Sequence, residues 1–241
     1  MFVVPLPDDA EGDDMIRLLL VDDHKLFRVG LRKMLQDLKG IQIIGEAEDG
    51  ETAVKIAREE RPNVILMDLL MPGIGGLEAT RRIVRMELDI RVVALSACDH
   101  APFPVQALRA GAAGYITKGA KAEELAMAIK RAFVGKRYLS AEVAQELAVS
   151  SFEEDGAAPF DQLSNREMQI MMMVVNCHRV NDISSSLHLS PKTVNSYRYR
   201  IFEKLNVRSD VELALLAVRH GMIGPQTIEG SARAVVDATA S

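Results

Sequence analysis

From Ile16 to about residue 135 the chain repeats one unit five times: a short apolar run, then an amphipathic helical stretch. The runs fall at 16–21, 41–47, 64–67, 92–95 and 114–117, and the helical patterns at 26–37, 51–60, 77–87, 104–110 and 123–134. Strands that read as unbroken apolar runs are buried on both faces, and helices between them cover those faces. Strict alternation of strand and helix is the signature of a parallel sheet wound in both directions. The pattern predicts a doubly wound α/β domain on a five-stranded parallel sheet, spanning 15–138. No run of about 18 apolar residues occurs, so no membrane-spanning helix and no membrane partner is expected.

Near residue 140 the alternation stops. Residues 140–149 read as one more helix capped by Ser140, and 151–161 (SFEEDGAAPFD) as an acidic linker, so 139–161 joins two domains. From Leu163 only helical patterns remain. Ser164-Asn165-Arg166-Glu167 has the form of a capping box opening a helix to about Asn176. A shorter helix is expected at 180–187. Ser190-Pro191 opens a third helix that runs to 205, and 210–220 makes a fourth, stopped by Gly221. An all-α domain over 162–222 follows. Residues 1–14 and 223–241 are small, polar and aperiodic, and disorder is expected there. The start, MFVVPLPDDAEGDD, lacks the basic region of a signal peptide. The two cysteines, Cys98 and Cys177, match neither a disulfide framework nor a zinc spacing. A cytoplasmic protein with reduced, structural thiols is expected.

The polar residues at the strand ends carry the chemistry. The first run ends in Asp22-Asp23, the third in Asp68, the fourth in Ser96, and the fifth just before Lys118. In an open parallel sheet, ligands bind at the carboxyl ends of the strands. Three carboxylates gathered there repel one another unless a cation lies between them, and few, hard oxygen ligands favour Mg²⁺. Lys118 adds a positive charge and Ser96 a hydroxyl. The set favours attack by one carboxylate on a phosphoryl group whose equatorial oxygens are stabilised by Mg²⁺ and Lys118. His24 reads as a loop residue.

Residues 16–135 resemble the receiver domain of bacterial response regulators, through VDDH at 21–24, MDLLMPGIGG at 67–76, ALSA at 94–97 and AGAAGYITKG at 110–119. The resemblance implies that Asp68 is the phosphoacceptor. It further implies that Asp22, Asp23, Asp68 and the main-chain carbonyl of Leu70 hold Mg²⁺. Lys118 would contact the phosphoryl group, Ser96 would be the switch hydroxyl, and Tyr115 the aromatic that turns inward behind it. Many receivers place a proline in a cis bond after the lysine; this chain has Gly119.

In the helical domain the pair 180–187 and 191–205, joined by His188-Leu189-Ser190, forms a helix-turn-helix unit. Val194, Tyr197, Ile201 and Leu205 line one face of the second helix, which is expected to be core. Asn195, Ser196 and Tyr199 face away, flanked by Lys192, Arg198, Arg200 and Lys204. Amides and hydroxyls suit base edges, and bases suit phosphates. Overall the chain is acidic, with a net charge of −5, yet 162–222 carries eight bases against five acids. Duplex DNA is thereby permitted, though the charge alone does not demand it.

LSNRE at 163–167 and LSPKTVNSYRYRIFEKLNVRSDVEL at 189–213 resemble the NarL/FixJ, LuxR-type output domain. That resemblance implies a recognition helix at 191–205, with Asn195, Ser196 and Tyr199 toward bases and Lys192, Thr193, Arg200 and Lys204 toward phosphates. The family often has His at Tyr197, and Gly where this chain has Asn176-Cys177-His178-Arg179. From about 15 to 222 the chain resembles the GacA/UvrY branch, through HAPFP at 100–104, APFDQLS at 158–164 and PKTVNSYRYRIFEKL. The branch implies a hybrid sensor histidine kinase as phosphodonor, promoter DNA as target and a homodimer when phosphorylated, with RNA polymerase as a further partner. It also implies activation of small regulatory RNAs that govern virulence, biofilm and secondary metabolism. Two alternatives stand beside this reading: a receiver whose output domain binds protein alone, and a haloacid-dehalogenase-type phosphatase. The latter usually carries its nucleophile in a D-x-D motif after the first strand. Met168, Met171, Met172 and Met173 are expected to pack rather than bind metal.

Overall fold

The computed structural model describes residues 15–97, 103–150, 159–220 and 222. The stretches read above as an N-terminal extension (1–14), most of the acidic linker (151–158) and the tail (223–241) lie outside the described residues, as do Cys98, Gly221 and the first part of HAPFP.

The strands are β1 (Ile16–Val21), β2 (Ile41–Ala47), β3 (Val64–Asp68), β4 (Arg91–Ser96), β5 (Gly114–Thr117) and β6 (Tyr138–Leu139). They form one parallel sheet in the order β2-β1-β3-β4-β5-β6. Between them lie α1 (Lys25–Leu35), α2 (Gly50–Glu60), α3 (Gly75–Val84), α4 (Phe103–Arg109) and α5 (Ala122–Phe133). The strand period of two sorts the core. Leu18, Leu20, Val64, Leu66, Val93 and Leu95 face α1 and α5, while Leu19, Val21, Ile65, Met67 and Val92 face α2 and α3. The sheet is thus doubly wound as expected, but it has six strands rather than five. The sixth is only two residues long, too short to show a period. It approaches β5 closely at Gly114, where a β-carbon would lie 2.9 Å from the Tyr138 carbonyl oxygen.

After β6 come α6 (Ala141–Ser150), a 3₁₀ turn (Pro159–Gln162), then α7 (Asn165–Val175), α8 (Val180–Ser186), α9 (Pro191–Leu205) and α10 (Asp210–Arg219). The capping box closes as read: the Glu167 amide donates to Ser164 Oγ, and the Ser164 amide to Glu167 Oε2 at 2.7 Å. Ser190 caps α9 by accepting the Thr193 amide, with Pro191 in the first turn. Val194, Ile201 and Leu205 are buried, and Tyr197 packs partly buried against the same core. Met168, Met171 and Met172 lie in that core too, with Met173 at its margin.

The turn between α7 and α8 puts Cys177, exposed, at φ 62°. A β-carbon is disfavoured there, and glycine would meet no such penalty. Cys177→Gly is expected to stabilise the fold by about 0.5–1 kcal/mol, raising Tm by a few degrees. A lower Tm in a calorimetric scan would refute it.

The two halves share a core. Leu69, Leu77, Phe103 and Tyr115 from the sheet side are continuous with Phe160, Leu163 and Met168 from the helical side. Polar contacts fasten the seam. Arg166 Nη1 donates to the Gly73 carbonyl and Gln169 Nε2 to the Met71 carbonyl, each at 2.5 Å. The second arm of Arg166 reaches the Leu187 carbonyl, and the Gly73 amide donates to the Ser186 carbonyl. The loop between β3 and α3 is therefore gripped by α7 and by the end of α8.

Candidate phosphoacceptor site and nucleic-acid interface

Parallel pairing brings the ends of β1, β3, β4 and β5 to one edge, and the predicted polar residues with them. Asp68 is the last residue of β3 and is buried, as are Asp22 and Ser96. Lys118 Nζ stands 2.8 Å from Asp68 Oδ2 and 2.6 Å from Asp22 Oδ2. Its amide donates to the Ser96 carbonyl at 2.7 Å, which fixes β5 against β4, and its ammonium lies over the Phe27 ring. The other Asp68 oxygen accepts the Leu70 amide at 3.1 Å, so the loop bearing the Leu70 carbonyl folds over the carboxylate. Tyr115 is fully buried in β5.

One oxygen or nitrogen from each of Asp22, Asp23, His24 and Asp68 lies within 4.8 Å of the others. Asp22 Oδ2 and Asp23 Oδ1 are buried and accept no well-aligned hydrogen bond, although Lys118 Nζ and His24 Nδ1 lie nearby. Such an acidic pocket is typical of divalent-metal binding. Hard, crowded oxygens with unfilled lone pairs fit a hard cation. His24, read as a loop residue, lies at the mouth with Nδ1 2.9 Å from Asp23 Oδ1.

Burial pushes the Asp68 carboxyl up to about 7; Lys118 opposes that rise and the Asp22 charge adds to it. For Lys118, burial alone would lower the ammonium. The charge of Asp68, the close ion pair with Asp22 and the hydrogen bond to Asp68 outweigh it and hold the ammonium above the ordinary lysine value. The sign for stability follows. Between the usual carboxyl value of 3.8 and about 7, the folded chain keeps a proton that the unfolded chain has lost. The stability that this proton contributes is complete below 3.8 and is lost as pH rises through about 7. A bound divalent cation favours the carboxylate, so Mg²⁺ is expected to move the Asp68 titration to lower pH. Carboxyl NMR with and without Mg²⁺ checks this; an unmoved midpoint would refute it.

Sequence reading missed Arg28. It is buried in α1, donates to the Asp22 carbonyl at 2.5 Å, and pairs with Glu46 on β2. It thereby pins the acidic loop, and nothing in its spacing marks it.

On α9, Lys192, Ser196, Tyr199 and Arg200 are exposed, Tyr199 to 73%. Thr193 and Asn195 are half-buried. The Thr193 hydroxyl is 2.8 Å from Ser190 Oγ, and the Ser196 hydroxyl donates back to the Lys192 carbonyl. Lys204 lies on the other flank, with Nζ 2.6 Å from Glu167 Oε2 and bonded to the Gln162 carbonyl. Burial alone would raise Glu167, but bonds from Lys204 and Ser164 hold it below the usual range.

A cation-ready acidic edge with a buried aspartate and a paired lysine, joined to a helix-turn-helix, defines a response regulator as a class. Residues 18–130 match the response regulator receiver domain, and residues 161–217 match the LuxR family of bacterial regulatory proteins. The chain is 57% identical over 210 residues to response regulator GacA of Pseudomonas aeruginosa, spanning 87% of this chain and 98% of that one. It is 51% identical over 215 residues to response regulator UvrY of Escherichia coli (strain K12), spanning 89% and 99%. The solved structure of response regulator ChrA, from a heme-sensing two-component system, aligns over 87% of this chain and 100% of its own. Its identity to this chain is 29% and its TM-score 0.51. The chain belongs to the two-component response regulators with a LuxR-type DNA-binding domain, in the branch of GacA and UvrY. It is not an enzyme, and the phosphatase alternative falls. Among the described residues no helix is long and apolar enough to cross a membrane.

Proposed function

We propose that this chain accepts a phosphoryl group on Asp68 from a hybrid sensor histidine kinase in the bacterial cytoplasm. The phosphorylated form then dimerises and binds promoter DNA through α9. The observation that carries the reading is the buried Asp68 at the sheet edge, held between Lys118 and the acidic pair Asp22 and Asp23. Asp22, Asp23, Asp68 and the Leu70 carbonyl would hold Mg²⁺, which supplies charge neutralisation on the phosphoryl oxygens. A carboxylate oxygen of Asp68 attacks phosphorus. The P–O bond forms as the P–N bond to the kinase histidine breaks, and the electron pair leaves with the imidazole. Lys118 then moves its ammonium from the carboxylate to a phosphoryl oxygen, and Ser96 donates its hydroxyl to another. Tyr115 fills the space behind Ser96. The phosphate adds nearly two negative charges, which bias the receiver between two arrangements.

On DNA, Asn195, Ser196 and Tyr199 face base edges, and Lys192, Thr193 and Arg200 face phosphates. Lys204 faces a phosphate as well, its ammonium shared with Glu167 of α7. The kinship with GacA and UvrY supports promoters of small regulatory RNAs as the targets, and through them control of virulence, biofilm and secondary metabolism. The test is genome-wide occupancy of tagged wild type beside Asp68→Ala in its own host. Strong peaks upstream of small-RNA genes, weakened in the variant, are expected. Peaks elsewhere would discard those targets, and no peaks in either protein would favour an output domain that binds protein alone.

A further inference from the structure

Arg198 is the one base on α9 for which the reading above has no role, and its surroundings are specific. It lies one turn beyond Asn195 and faces the start of α10. Its side chain is mostly shielded, at 23% exposure. One arm of the guanidinium, Nη2, meets Asp210 Oδ2 at 2.5 Å; Asp210 is the first residue of α10, where a carboxylate is favoured. The other arm, Nη1, donates to Asn195 Oδ1 at 3.0 Å. The Phe202 ring lies 5.9 Å from the guanidinium carbon. The fork is thus held from α10 and aimed at one atom of Asn195.

The consequence lies in the chemistry of an amide. A free asparagine can turn either its oxygen or its NH₂ toward a ligand, and the surrounding hydrogen bonds decide which. Arginine has donors only, so Arg198 claims the oxygen and leaves Nδ2 with its two N–H groups for the outside. The positive charge beside Oδ1 also repels an amino donor offered to that oxygen. A free asparagine in the major groove favours adenine, accepting from N6 and donating to N7. The oxygen keeps a second lone pair, but the guanidinium charge fixed beside it disfavours a second donor there, so Asn195 is left chiefly to donate. The base edge with two adjacent acceptors is guanine, through N7 and O6.

We propose that Arg198 is a specificity-determining positioning residue: held by Asp210, it makes Asn195 a donor toward the groove and so selects guanine over adenine at one position of the operator. This rests on α9 being the recognition helix.

The experiment is binding-site selection from a randomised duplex library by the full chain, with Mg²⁺ and a small phosphodonor present. Four proteins are compared: wild type, Asn195→Ala, Arg198→Met and Asp210→Asn. Wild type is expected to show a guanine position that Asn195→Ala loses while the other positions hold. At that same position Arg198→Met is expected to shift the guanine-to-adenine ratio by about tenfold toward adenine. Asp210→Asn, in which Ser209 still caps α10, is expected to shift it the same way by less, and it carries the test if the Met variant fails to fold. An even loss of affinity across all positions in the Arg198 and Asp210 variants would make Arg198 a mere brace and overturn the proposal. So would an unchanged guanine preference in Asn195→Ala. A wild type that selects no sequence while retaining phosphodonor labelling would instead sink DNA recognition by α9, and this proposal with it.

Discussion

Asp68→Asn is expected to reduce labelling by a small phosphodonor to background and, in the same protein, to raise thermal stability. The two effects share a cause. The Asp68 carboxyl is buried with Asp22 beside it, which lifts its titration to about 7, so its ionised form is held at a cost above that pH. Asparagine has nearly the same shape, still accepts the Leu70 amide, and leaves Lys118 paired with Asp22. It removes the buried charge and the nucleophile together. At pH 8 without Mg²⁺, Tm is expected to rise by several degrees. Added Mg²⁺ should stabilise wild type more than the variant. Loss of labelling with loss of stability would mean only that the variant unfolds, and retained labelling would move the phosphoacceptor elsewhere.

Gly76→Ala is expected to have the largest effect on folding. Gly76 opens α3 against the end of β3, and its amide donates to the Leu69 carbonyl. A β-carbon there would lie 1.8 Å from the Asp68 carbonyl oxygen and 2.8 Å from Leu69 Cα. Both are backbone atoms, so no rotamer relieves the clash; the helix must retreat from the strand that carries the phosphoacceptor. A loss of about 3 kcal/mol, roughly 10 °C in Tm, is expected, with weakened labelling in whatever remains folded. Gly30→Ala is the control. Gly30 sits within α1 with open space around it, and alanine is the better helix former, so that variant should be neutral or slightly more stable. Equal Tm for Gly76→Ala and wild type would mean that α3 and β3 do not meet as described.

How far the sequence carried can be judged from particular residues. The five longer strands were legible as apolar runs bounded by turn residues; β1, β3, β4 and β5 are buried on both faces, and the edge strand β2 is partly so. The span of α9 was legible, opened by Ser190-Pro191 and read to 205; the structure closes it on the left-handed Asn206. Asp22, Asp23, Asp68, Ser96 and Lys118 could be gathered in advance because parallel pairing sends all strand ends to one edge. Contacts between distant segments could not be read. Tyr138-Leu139 pairs with β5 but is too short to announce itself. Arg28 looks like any helix cation until Asp22 and Glu46 converge on it. Lys204 reads only as a base on α9, since sequence records its charge and not the 2.6 Å to Glu167. Arg166 and Gln169 lie in a well-capped helix, and nothing in their spacing says that they reach the β3–α3 loop.

That grip has a thermodynamic meaning. The carbonyls of Met71 and Gly73 are held by α7, and the proposed cation ligand, the Leu70 carbonyl, belongs to the same short loop. Docking of the helical domain and ion capture at the sheet edge thus draw on one segment of backbone. By reciprocity, whatever factor separating the domains imposes on cation affinity, the cation imposes on the domain-separation equilibrium. A chelator titration and a protease-susceptibility assay on the same protein would then report a single coupling free energy from its two ends.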